Sequence, residues 1–235
     1  MRNRFLISVL AITLCAIRGE IAAQSTQLNH WPAGSSPNEI GKRVSERFLS
    51  LPHLLSTNQA REPYIDYPES VTWYGALTFA KQSGDQELTS RLIQRFDKLL
   101  ADNSHLIPEP KHVDLTVFSA VPLEIYIQTK QAKYLELGKE MADREWADAT
   151  PDGLSSQTRY WIDDMYMITL VQVQAFRATG DWKYIDRAAR EMSAYLDKLQ
   201  QPNGLFYPCS GCAVLLGAGQ WLGCCRNGRT PVLAS

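Results

Sequence analysis

The sequence predicts an all-α protein made of repeated helical hairpins that close into an α/α toroid. Three observations predict it. Between Ser36 and Gln200 apolar residues recur at three- and four-residue steps, the period of a helix with a buried face. Short polar turns of one kind recur at 81–85, 128–132 and 177–181, and Lys133-Tyr134 returns fifty residues later as Lys183-Tyr184. A period of that length, with two helices per unit, marks stacked α-hairpins. Finally, the paired helices differ in character: one is apolar all round and the next amphipathic. That contrast favours a closed toroid over an open solenoid, since inner helices are then wrapped by outer ones.

The elements follow in order. Helices are expected over Ser70–Lys81, Gln86–Ala101, Thr116–Gln128, Lys133–Trp146, Asp164–Ala178 and Lys183–Leu199. In the last, Ile185, Ala188, Met192, Leu196 and Leu199 form one stripe, with Asp186, Arg190 and Lys198 turned away. The helix before it carries Met165, Met167, Ile168, Leu170, Val171 and Val173 on all sides, as an inner helix would. Longer links at 102–114 and 147–162 fall at the end opposite the short turns. Such loops, carried on a rigid scaffold, are where functional residues collect.

Residues 1–23 stand apart. Arg2 and Arg4 precede an apolar run from Phe5 to Ile17, and Ala22-Ala23 follows. This is the layout of a secretory signal peptide, with an apolar run too short to span a bilayer comfortably. The expectation is an exported protein, periplasmic or extracellular, with no membrane attachment once the signal is removed. Removing Arg2, Arg4, Arg18 and Glu20 from 24 basic and 25 acidic residues leaves a net charge of −3. Such a balance argues against nucleic acid as a partner.

Cys15 lies in the signal, residues 24–207 hold no cysteine, and Cys209, Cys212, Cys224 and Cys225 crowd the tail. The tail cysteines read either as a zinc or disulfide cluster or as a product of the nucleotide sequence, taken up below. No metal site is expected elsewhere, because the four histidines show no ligand spacing. A Gly-rich phosphate loop and a Gly-x-Ser-x-Gly elbow are absent from the sequence. No cofactor is expected.

The long links carry the unusual residues: His105, His112, Asp114, Gln157, Arg159 and Trp161. Asp163 and Asp164 then open an otherwise apolar run. Charge at a site of core building must be paired or used. A carboxyl against an apolar wall has a raised pKa, as a proton donor at neutral pH requires. The competing reading is a helix cap. Asp114 has the same two readings, with Thr116 competing for the cap, and His112 is open to reading as a solvated loop residue.

Three strings, HVDLTVFSAVPLEIY from His112, QTRYWIDDMYM from Gln157 and QPNGLFY from Gln201, occur in one order across residues 36–207. They resemble the unsaturated rhamnogalacturonyl hydrolases, glycoside hydrolase family 105, relatives of the unsaturated glucuronyl hydrolases. The resemblance implies a six-hairpin (α/α) toroid, of which this chain carries about the N-terminal half, within residues 24–207. It implies a substrate oligosaccharide ending in the unsaturated uronic acid that lyases leave on pectin. It implies that Asp163 is the general acid/base and Asp114 a second acid steadying the substrate. Trp161, His112, Gln157, Arg159, Trp73 and Tyr74 are the implied substrate-binding residues, with Trp161 lining the pocket and raising the acid's pKa; Trp73 and Tyr74 read either as stacking residues or as core, the commoner place for aromatics on an inner helix. A non-catalytic α-hairpin binding module and another toroid carbohydrate enzyme, such as a lyase, remain as alternatives.

The pattern breaks at Pro208. The family continues with His-Ala and a Trp-Gly-Arg-Gly-Asn-Gly-Trp motif, where this chain reads PCSGCAVLLGAGQWLGCC. Permitted codons for the tail, read one base later, encode both missing pieces. The expectation is an inserted base after the codon for Tyr207, an out-of-frame and disordered tail over 208–235, and a chain with little or no activity as written.

Overall fold

The computed structural model describes residues 31–56 and 63–212. The expected signal peptide and the tail beyond Cys212 lie outside the described residues. The chain divides into two compact units, residues 1–44 and 45–235. In the first, helix α1 (Pro37–Ser50) begins. Ser36 and Glu39 form a reciprocal cap: the Glu39 amide donates to Ser36 Oγ at 3.2 Å and the Ser36 amide to Glu39 Oε2 at 3.1 Å. This box satisfies two of the amides that a helix start leaves unpaired, and Pro37 supplies a pre-set φ at the first helical position.

The second unit is helical, with no strand among the described residues. It contains α2 (Tyr67–Ser83), α3 (Gln86–Asp102), α4 (Val113–Thr116), α5 (Ala120–Thr129), α6 (Ala132–Arg144), α7 (Ile162–Thr179) and α8 (Trp182–Leu199). Helices α2, α5 and α7 pack side by side as an inner row, and each carries its outer partner: α3, α6 and α8. This is the paired inner-and-outer layering that the periodicity predicts, arranged as part of an α/α toroid.

The three short turns share one solution. Gly84, Lys130 and Gly180 each end an inner helix in the left-handed region, with φ of 72°, 60° and 75°. In two of the turns the following aspartate caps the outer helix: Asp85 Oδ1 accepts from Leu88 N at 3.0 Å and Asp181 Oδ1 from Lys183 N at 3.0 Å. The repeated Lys-Tyr pair also has a structural meaning. Lys133 Nζ and the Tyr134 hydroxyl both donate to Asp97 of α3, at 2.5 and 2.7 Å. Lys183 Nζ and the Tyr184 hydroxyl meet Asp143 of α6 at 3.1 and 3.0 Å. Each outer helix thus tethers its start to the previous one. Burial would raise the Asp143 carboxyl, but its hydrogen bonds from Lys139, Lys183 and Tyr184 prevail and lower it to about 2.

Two departures from the expected helices have local causes. The segment before α5 is already helical from Val113, with a 3₁₀ turn over Val117–Ser119. Pro122 has no N–H to offer the Phe118 carbonyl, so the regular ladder cannot run through this point. The buried stripe of α8 is Tyr184, Ala188, Glu191, Tyr195 and Leu199. The expected stripe was turned by about one residue: Leu196 is exposed, and Ile185 and Met192 are half-buried. Amphipathic Tyr and a buried Glu take the places that sequence hydrophobicity assigned to Ile and Met.

The core is aromatic at the first hairpin. Trp73 is wholly buried, its ring 5.7 Å from Phe48 and 5.4 Å from Phe96. Its indole N–H donates to Leu92 O at 3.2 Å. Trp73 is therefore core and not a sugar platform, a correction to the expected binding set. Tyr74 is half-buried and packs against the same cluster. Where α5 meets α6, a Cβ on Gly138 would sit 2.6 Å from Leu123 Cγ and 3.2 Å from its backbone nitrogen. Only glycine permits that approach.

The beginning of the tail also differs from expectation. Pro208–Cys212 are placed: Ile162 N donates to Pro208 O, Ser210 N donates to Tyr160 O, both at 2.9 Å, and Trp161 bridges Cys209. Backbone pairing needs no particular side chains, so this stretch can hold its position whatever its residues. Cys209 and Cys212 form a disulfide, which assigns that pair to the disulfide alternative and not to zinc.

Glu69 tests the buried polar contacts of the first hairpin. It is almost fully buried and accepts from Arg95 Nη2 at 2.9 Å and from the Leu54 amide, with His53 Nδ1 at 2.7 Å. Burial pushes its carboxyl up, but the bonds from His53, Arg95 and Leu54 win and hold it below the usual range. A lowered carboxyl contributes stability above the unfolded-state value and loses it as pH falls through the folded one. Glu69→Gln leaves Arg95 uncompensated and is expected to cost about 3 kcal/mol, with less acid sensitivity remaining. Urea unfolding at pH 7 and pH 4 checks both effects.

Candidate active site

The two long links and the starts of α4 and α7 meet at one end of the inner helices. Arg159 lies at their centre. Its Nη2 donates to Asp164 Oδ1 at 2.5 Å and to Asp114 Oδ1 at 3.2 Å, and its Nε to Asp164 Oδ2 at 3.2 Å. Nη1 reaches His112 Nε2 at 3.0 Å. The other ring nitrogen, Nδ1, accepts from the Asp114 backbone amide at 3.2 Å, so His112 caps the start of α4. One guanidinium therefore ties the 102–113 link, helix α4 and helix α7 together.

The two adjacent acids divide the roles that the sequence left open. Asp164 is wholly buried and is the cap: its Oδ2 accepts from the Trp161 amide at 3.4 Å, closing the first turn of α7. It also accepts from the Tyr195 hydroxyl at 3.1 Å. Asp163 points elsewhere. Its Oδ1 is buried with no hydrogen-bond partner among the described residues. It lines a cavity of about 540 Å³ with Tyr67, Val71, Ile162, Tyr166 and Met167. Burial raises its carboxyl, the Asp164 charge raises it further, and its own backbone amide and Arg159 oppose them without prevailing. Asp163 is the group at this mouth that combines a raised carboxyl with an oxygen left unpaired among the described residues.

Asp114 is also raised, by burial first, against the pull of Arg159 and His112. It lines a second, larger and more enclosed cavity of about 760 Å³ with Tyr64, Asp66, His105, Lys111 and His112. The neighbours Asp66 and Tyr67 contribute to the two cavities in turn, so Asp163 and Asp114 look onto adjoining spaces.

The other expected site residues sort by their partners. Gln157 is buried, with Oε1 accepting from Thr116 Oγ1 at 2.9 Å and Nε2 donating to Pro110 O at 3.2 Å. Both polar ends are consumed in fixing the two links to each other, so Gln157 ties the structure and does not bind sugar. Trp161 is 38% exposed at the rim. The wall beside Asp163 is made by Tyr166, Tyr67 and Met167, and Trp161, expected there, is not among the residues lining that cavity. Sequence reasoning missed Tyr166, Tyr67 and Tyr195. Tyr166 carried a signal: it follows Asp163 by about one helical turn, which puts both on one side of the helix.

Two more acids lie beneath the 147–161 link. Glu145 and Glu191 are both fully buried. Glu191 accepts from the Thr158 hydroxyl and from Ser155 N. Glu145 Oε2 accepts from Gln172 Nε2 at 2.7 Å, while Oε1 has no partner. Burial pushes Glu145 well above the usual carboxyl range, and Glu191 adds to the shift while Gln172 and Arg187 oppose it.

The model of Glycosyl Hydrolase Family 88 matches residues 42–209. The chain belongs to this family, glycoside hydrolases acting on sugars that carry an unsaturated uronic acid. Neither the curated proteins nor the solved structures gave a match. The match spans the hairpins and the whole mouth, from α1 to the residue that bridges Trp161.

A raised carboxyl favours the folded state while protonated, and that stability is lost as pH rises through its folded value. Glu145→Gln, which cannot ionise, is therefore expected to melt higher than the parent at pH 9 and to lose less stability between pH 6 and pH 9. Thermal melts at the two pH values check this. A slope identical to the parent's would show that Glu145 is already ionised in the folded protein at pH 6.

Proposed function

We propose that the chain is an unsaturated rhamnogalacturonyl hydrolase of the family 105 type, exported, and acting on lyase-generated pectin oligosaccharides. The observation that carries this reading is Asp163, with Oδ1 buried and unpaired among the described residues beside an apolar cavity and its carboxyl raised, set against a neighbour fully engaged with Arg159. Ordinary glycosidases need two carboxyl groups flanking the anomeric centre. Hydration of a vinyl ether needs one proton donor that later accepts a proton back. Asp163 gives its proton to C4 of the C4=C5 bond, leaving positive charge shared between C5 and the ring oxygen. Water adds at C5 and returns a proton to the Asp163 carboxylate. The hemiketal so formed opens, and the glycosidic bond to the next sugar breaks. Asp114, in the adjoining cavity, orients the sugar through its hydroxyl groups, and Trp161 at the rim offers it an aromatic face.

The inserted-base reading belongs to the same proposal. It accounts for the clustering of the four tail cysteines in one short stretch, and the family match stopping at Cys209 supports it. Reading the gene across the codons for Tyr207 and Pro208 checks it directly; a shifted frame without the Trp-Gly-Arg-Gly motif would sink it.

Frame-restored protein is expected to bleach the vinyl-ether absorbance of lyase-generated pectin disaccharides, and the chain as written to do so little or not at all. In the active form, Asp163→Asn should slow turnover by about 10³-fold, the scale of a lost general acid/base. Undiminished turnover by Asp163→Asn would refute its role. Products bearing a newly formed double bond would point to a lyase instead.

A further inference from the structure

We infer that Tyr195 is a positioning residue of this site, whose buried hydroxyl holds the left-handed turn at Tyr160 and so fixes where the Arg159 guanidinium meets the acids. The inference rests on the reading of Asp163 as the proton donor.

Among the described residues, only Lys130 and Tyr160 are non-glycine residues with positive φ. Lys130 ends a helix at a short turn, where that conformation is common. Tyr160, with φ of 56°, ends no helix. It sits between Arg159 and Trp161, at the point where the long link enters α7. A bulky L-residue holds this conformation only when its surroundings impose it.

Tyr195 imposes it from α8. Its hydroxyl oxygen accepts from the backbone amides of both Arg159 and Tyr160, at 3.3 and 3.2 Å. Its proton goes to Asp164 Oδ2 at 3.1 Å. With two amides accepted and one proton donated, the hydroxyl has no spare capacity, and the residue is wholly buried. The two tyrosine rings pack at 5.0 Å, and Ser210 N holds the Tyr160 carbonyl from the far side. One oxygen thus joins the backbone that aims Arg159 to the carboxylate that Arg159 grips. Burial and the nearby Asp164 charge push the Tyr195 hydroxyl far up, so it stays a donor at any working pH.

The other buried tyrosine hydroxyls of the outer helices do something different. Tyr134 and Tyr184 each donate to one aspartate of the preceding outer helix and touch nothing at the mouth. Tyr184→Phe is therefore a control for losing a hydroxyl without disturbing the site.

The test uses the chain as it exists and needs no turnover: the Asp163 carboxyl is titrated by carbon-detected NMR in the parent and the variants. In Tyr195→Phe the two amides lose their acceptor, the turn relaxes, and the guanidinium that opposes protonation of Asp163 moves away. The midpoint is expected to rise by about half a pH unit or more, a shift that a change in one charge contact readily gives. Tyr184→Phe should leave it in place. Adding Tyr160→Gly to Tyr195→Phe should bring the midpoint back, since glycine takes the left-handed conformation without strain. An unmoved midpoint in a folded Tyr195→Phe overturns the inference. So does a Tyr195→Phe chain that fails to fold, because the hydroxyl would then serve stability at large. Retained turnover in frame-restored Asp163→Asn would sink the proton-donor reading alone and leave the Tyr195 titration to stand.

Discussion

The structure at the mouth depends on the ion pair between Arg159 and Asp164. Asp164 has no solvent contact, and a charge in that position is costly unless it is paired and hydrogen-bonded. Arg159 supplies two bonds, and the Trp161 amide and the Tyr195 hydroxyl supply two more. Satisfying that carboxylate drags its partners into place. The 147–161 link has to deliver Arg159 inward, α8 has to face Tyr195 toward α7, and the guanidinium then has donors left for His112 and Asp114.

That arrangement separates two acids that sequence leaves equivalent. Successive residues at a helix start point about 100° apart. One of them turns toward Arg159 and serves the helix start; the other lines the cavity with Tyr67, Tyr166 and Met167, and its Oδ1 has no partner among the described residues. The full engagement of Asp164 also makes its charge a fixed neighbour, which is the second cause, after burial, of the raised Asp163 carboxyl. A structural pair and a carboxyl raised above its usual range are thus one construction. The buried Glu145 and Glu191 beneath the same link extend it, because Glu191 anchors Ser155 and Thr158 while Gln157 anchors Pro110.

Much of this was legible in the sequence. Periodicity found six helices and their pairing, and the repeated Lys-Tyr dipeptide marked equivalent positions before its partners Asp97 and Asp143 were known. The segment from Gln157 to Met167 stood out because two adjacent acids open an apolar run, with a helix cap and a proton donor as the two readings, and the cap falls to Asp164. What stayed hidden depended on partners far along the chain or on facing. An inner helix that is apolar all round gives no sign of which aromatic points inward, so Trp73 read as either platform or core, and Phe48 and Phe96 enclose it. Gln157 read as a ligand because its partner, the Pro110 carbonyl, lies 47 residues away. The stripe of α8 was misplaced by about one residue because Tyr184 and Tyr195 count as polar-tipped by composition, yet bury their rings and spend their hydroxyls on aspartates.

The most direct test of this account is a double-mutant cycle on Arg159→Gln and Asp164→Asn, with unfolding free energies from urea titration. If the pair organises the mouth, each single variant leaves a buried group uncompensated. The double variant then recovers much of the loss, giving a coupling of about 2 kcal/mol or more. Additivity within about 0.5 kcal/mol, the behaviour of independent sites, would contradict it.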